Sequence, residues 1–73
     1  MKLIRIHIDG MSYDFGPPYT GKRLREIAGV TEDEDLWHDC GSKDDELVLS
    51  NFDTVNLEDS RTFYTAPKII NGG

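Results

Sequence analysis

A second cysteine is missing. Cys40 stands alone in 73 residues, so no disulfide can close within the chain, and no Cys/His cluster at zinc-finger spacing takes its place. A domain this small buries only about 60% of its unfolded surface, so without either staple it must rely on hydrophobic packing. The lack of a disulfide framework suits a reducing, cytoplasmic setting. Long apolar runs are missing too. Met1-Lys2-Leu3-Ile4-Arg5-Ile6-His7-Ile8 alternates rather than running on, so no signal peptide is expected, and no stretch nears the ~20 residues of a membrane span. Positive charge is scarce. Eight Lys and Arg against 14 Asp and Glu leave a net charge of −6, which argues against nucleic acid as a partner. No Gly-rich phosphate loop is present, nor a nucleophile with its base and orienting group, so the chain is expected not to be an enzyme.

What is present reads as alternating strands around one helix. Ile4, Ile6 and Ile8 share one face of a strand over residues 3–8. Asp9-Gly10 is a two-residue hairpin signal, because glycine accepts positive φ freely. Met11, Tyr13 and Phe15 then share a face of the second strand, which Gly16-Pro17-Pro18 ends. Thr20 is a good N-cap for a helix over residues 21–28, with Leu24, Ile27 and Ala28 as its apolar stripe and Gly29 as its C-cap. Lys22, Arg23 and Arg25 make the outer face of that helix basic. An acidic loop at 31–35 leads to a third strand over 36–40 and a short fourth over 46–49. An irregular polar segment follows, anchored by Phe52, Val55 and Leu57. Arg61 to Ala66 is the last strand, ended by Pro67.

Two strands, one helix and then further strands make an α+β layout, a mixed sheet with one packed helix. It is the element order of the β-grasp fold, in which the first and last strands lie parallel at the sheet's centre and need a long crossover between them.

The chain resembles ubiquitin-like proteins of that fold, and more narrowly the bacterial multiubiquitin-type family, over about residues 4–68. The likeness lies in Ile8-Asp9-Gly10, in Tyr19-Thr20-Gly21-Lys22-Arg23 with Leu24, Ile27, Ala28, Gly29 and Val30, in Val55-Asn56-Leu57, and in Phe63-Tyr64-Thr65-Ala66-Pro67. Members of that family often carry several such domains, and this chain has one. The resemblance implies a protein modifier of bacterial ubiquitin-like conjugation, linked to antiphage defence. It implies an activating enzyme that spends ATP, a conjugating enzyme, a JAMM-type deconjugating peptidase and target proteins modified at lysine. No cofactor is expected on the chain itself.

On that reading residues 1–66 form the ubiquitin-like domain and 67–73 a tail. The reactive group is the carboxylate of Gly73, with Gly72 before it. Glycine at both positions lets an enzyme's backbone close around the tail. Pro67 stiffens the exit, and Ile69, Ile70 and Asn71 contact the enzyme that takes it; the other reading of Ile69 and Ile70 is that they cap the end of the sheet. Seven extended residues reach at most about 25 Å. Two other readings use the same residues: a sulfur carrier that forms a thiocarboxylate at Gly73, and a non-covalent interaction module whose tail is incidental. Elsewhere the expectations are plainer. His38 and Cys40, at i and i+2, make at most half a metal site and read as core. His7 reads as a surface strand residue, and Trp37 as core or as part of a recognition patch.

Overall fold

The computed structural model describes residues 2–58 and 60–68. Its elements are β1 (Ile4–Ile8), β2 (Met11–Phe15), α1 (Gly21–Ala28), β3 (Glu34–Asp39), β4 (Glu46–Leu47) and β5 (Thr62–Pro67). The strands form one five-stranded sheet in the order β2-β1-β5-β3-β4. β1 and β5 pair in parallel and the other neighbours antiparallel, so the molecule is α+β with a mixed sheet and one helix.

Local chemistry accounts for the first half of the chain. Asp9 (φ 51°) and Gly10 (φ 83°) both take positive φ, as the tight turn between β1 and β2 demands, and Ile8 pairs with Met11 across it. The helix starts where Thr20 Oγ1 accepts the Arg23 N–H at 3.2 Å. It stops at Gly29, whose left-handed backbone sends its own N–H to Glu26 O and that of Val30 to Arg25 O. The helix lies on one face of the sheet through Leu24, fully buried, with Ile27 and Ala28 half-buried beside it. Ile6, Ile8, Phe15, Leu36, Val48, Val55 and Phe63 complete the core.

The strand boundaries in the second half differ from the sequence reading. β3 begins at Glu34, not at residue 36, so the end of the acidic run is strand rather than loop. β5 continues alongside it, pairing Pro67 with Glu34 and Ala66 with Asp35. β4 is two residues long instead of four, although Val48 still donates its N–H to Leu36 O at 2.9 Å. Pro67 is the last residue of β5 rather than the break after it. The Lys68 N–H reaches Asp33 O at 2.9 Å. Antiparallel hydrogen bonding alternates along a strand, so Pro67, one position earlier, faces its nitrogen away from β3. A proline there forfeits no ladder bond.

Candidate functional site

Of the residues to which the sequence assigns chemistry, the structure describes Pro67. Ile69, Ile70, Asn71, Gly72 and Gly73 lie outside the described residues. What the structure does place is the strand that leads into them.

β5 is braced on both sides. Along β3 it is paired from Thr62–Asp39 to Pro67–Glu34. Along β1 the ladder is short, with His7 opposite Thr62 and Ile8 opposite Phe63. The His7 N–H donates to Arg61 O at 2.9 Å and the Asp9 N–H to Phe63 O at 3.1 Å. There β1 turns away into its hairpin, and a side chain takes over. The Asp9 carboxylate accepts the Thr65 N–H at 2.9 Å and the Thr65 hydroxyl at 2.6 Å. One residue thus makes the β1–β2 turn and extends the β1–β5 contact by two positions. Sequence reasoning assigned Asp9 only to the turn. Its second role joins residues 56 positions apart, and no local pattern announces that.

The face of the sheet opposite the helix carries a cluster that runs back from the end of β5. Trp37 lies opposite Tyr64 on β5 and Leu47 on β4, and all three are half-buried. Trp37 alternates with the buried Leu36 and His38, so it lies on the side of the sheet away from the core. The Tyr64 hydroxyl donates to Asp45 Oδ2 at 2.5 Å. That hydrogen bond chiefly, then partial desolvation and the nearby Asp45 and Asp39 charges, push the Tyr64 phenol up to about 12. In the unfolded chain a tyrosine ionises near 10. The folded state therefore holds the proton more tightly, and this contribution to stability is intact below pH ~10 and lost as the pH climbs from about 10 to about 12. The thermal midpoint of the wild type is expected to fall more steeply across that window than that of Tyr64→Phe. Parallel curves would refute the assignment.

His38 and Cys40 are buried. The His38 ring stacks on Phe63 at a centroid distance of 4.4 Å and an interplanar angle of 18°. Its Nε2 lies 2.8 Å from Ser60 O, and since a carbonyl only accepts, Nε2 carries a proton and donates. Cys40 Sγ donates to His38 O at 3.6 Å. Both residues are built into the core side of the sheet, and no three His, Cys, Asp or Glu side chains among the described residues converge as a metal site. His7 is exposed, with its Nδ1 3.2 Å from Ser12 Oγ.

The basic face of α1 borders an open groove of 510 Å³ lined by Lys22, Arg25, Glu26, Gly29, Val30 and Ser50. Arg25 Nη1 donates to Val48 O at 3.1 Å, which ties the helix to the chain just past β4. Compared with known proteins, the chain matches no family model, no curated protein and no solved structure.

Proposed function

We propose that this chain is a β-grasp, ubiquitin-like protein modifier that reacts through the carboxylate of Gly73. The observation that carries the reading is the sheet order β2-β1-β5-β3-β4, with β1 and β5 parallel at its centre and α1 on one face. It is the order expected of a β-grasp body, and in it the strand leading to Gly72 and Gly73 is held by β1, by β3 and by the Asp9 carboxylate. A modifier needs that rigidity. Its body is the handle that enzymes grip, and a stem fixed in the sheet keeps the reacting end at a constant place relative to the handle.

The chemistry follows from the carboxylate. One of its oxygens attacks the α-phosphorus of ATP on an activating enzyme, expelling pyrophosphate and leaving an acyl-adenylate. A thiolate of that enzyme displaces AMP to give a thioester, and the acyl group passes to the thiol of a conjugating enzyme. A lysine amine of the target then displaces that thiolate and forms an isopeptide bond. Each relay splits one difficult amide synthesis into easier steps. Pro67 belongs to the handle, and Ile69, Ile70 and Asn71 are the residues an enzyme groove would take up. Since β5 pairs with β3 as far as Lys68, reach is counted from there, and residues 69–73 span at most about 17 Å. A JAMM-type peptidase would reverse the bond or expose Gly73 in a longer precursor.

The test is reconstitution with ATP, an activating enzyme and a conjugating enzyme of the ubiquitin-like type. The expected product is an isopeptide between Gly73 and a target lysine, seen by mass spectrometry and absent when Gly72 and Gly73 are deleted. Replacement of one Gly73 carboxylate oxygen by sulfur, read as the sulfur-for-oxygen mass difference, with no isopeptide would make the chain a sulfur carrier instead. Undiminished cellular activity after the deletion would make it a non-covalent module.

A further inference from the structure

We propose a second binding site on this chain, independent of the carboxylate chemistry: the groove between α1 and the segment after β4, which takes an acidic peptide segment of a partner protein. The argument begins with charge. On a chain of net charge −6, α1 collects Lys22, Arg23 and Arg25, and none of the three lies within 4.0 Å of a carboxylate among the described residues. Helix stability does not explain their placement. The positive end of a helix dipole favours acidic residues in the first turn, yet that turn of α1 has none and carries Lys22 and Arg23. Arg25, in the last turn, suits the dipole, but Lys22 sits at the unfavourable end.

Shape narrows the ligand. The groove measures 510 Å³ and is open to solvent, lined by Lys22, Arg25, Glu26, Gly29 and Val30 with Ser50 from the segment after β4. The half-buried Arg25 is oriented by its bond to Val48 O, so it need not be ordered when a ligand arrives. An open trough of this kind suits an extended segment with several carboxylates better than a small anion, which would stay solvated there. Glu26 also lines the groove and opposes such a ligand, which gives the site a built-in limit on affinity. A second copy of this chain fits less well. Its acidic residues 32–35 lie elsewhere on the same molecule, so that contact would be head-to-tail and open-ended, between bodies that repel each other.

The experiment titrates the full chain with a fluorescein-labelled peptide of alternating glutamate and leucine, following anisotropy and, in parallel, backbone amide shifts. Binding is expected to perturb Lys22, Arg25, Gly29, Val30 and Ser50, and to weaken as salt rises from roughly 0.05 M to roughly 0.5 M. Lys22→Glu is expected to weaken it about tenfold and Glu26→Gln to strengthen it severalfold. Arg23→Glu makes the same charge change on the same exposed helix but outside the groove lining, and is expected to cost less than about threefold. Absence of binding, shifts scattered over the surface, or an equal loss from Arg23→Glu and Lys22→Glu would each overturn the proposal. Circular dichroism of each variant confirms that the fold is kept.

Discussion

Gly21→Ala is expected to lose about 3 kcal/mol or more of folding stability, read as a fall in the urea midpoint at constant slope. The sign runs against helix propensity, which would credit alanine with up to about 1 kcal/mol over glycine inside a helix. Packing decides otherwise. A Cβ on Gly21 would sit 2.0 Å from Leu49 O, 3.1 Å from the Leu49 carbonyl carbon and 3.0 Å from Phe52 Cβ. The first two are backbone atoms and cannot rotate aside. Moving them would also break the bond from Gly21 N–H to Phe52 O at 3.0 Å, which fastens the helix start to the segment after β4. A chain of 73 residues has roughly 4 to 11 kcal/mol of stability in all, so the loss leaves a substantial part of the population unfolded at physiological temperature. Gly29→Ala is the control. Nothing lies within 4 Å of its new methyl group, and its cost, about 1 kcal/mol, comes only from φ +66°. If Gly21→Ala proved no worse than Gly29→Ala, the close approach of the helix to residues 49–52 would be disproved.

Phe63→Ala is expected to cost about 4 kcal/mol, enough to leave the domain mostly unfolded if its stability lies at the low end of that range. Phe63 is 1% exposed and is the second residue of β5, beside Ile8 on one neighbouring strand and His38 on the other. Removing the ring leaves a cavity under the helix and strips the buried His38 of its stacking partner. It also weakens the strand at the centre of the sheet, where β1 and β5 share only a short ladder. Urea unfolding followed by Trp37 fluorescence measures the loss. Phe63→Leu keeps most of the volume and is expected to recover all but about 1.5 kcal/mol. Equal losses from the two substitutions would mean that the ring's bulk is not what holds β5 in place.

The elements that could be read from the sequence are those whose causes lie within a few residues. Asp9-Gly10 carries its own turn, Thr20 caps the N–H of Arg23, and Gly29 ends the helix by its own backbone freedom; each is found where the residues put it. The α+β arrangement was legible for the same reason, since the order of such elements nearly dictates a sheet with one helix. The misread boundaries have distant causes. Glu34 and Asp35 look like a solvated acidic run, and only the presence of β5 alongside makes them strand. Pro67 looks like a strand breaker until the alternation of the ladder shows its nitrogen facing away from β3. Thr20-Gly21 is visible in the sequence as the start of the helix, but the reason for the glycine is the Leu49 carbonyl, far along the chain. Within the candidate site, the strand that leads toward the tail could be placed from sequence. The bracing by Asp9 could not, because its bonds to Thr65 depend on how the first and last strands come together.

That meeting of β1 with β5 has a consequence for how the protein is made. Within this domain β1 is synthesised before β5, its central partner, and Asp9 before Thr65. The hairpin of β1 and β2 and the helix can form early, but an isolated hairpin is marginal in water and the sheet lacks its middle until β5 emerges. Folding therefore completes only after synthesis has passed Lys68 and that residue has cleared the exit tunnel. Until then Ile6, Ile8 and Phe15 remain open to chaperones and to neighbouring nascent chains.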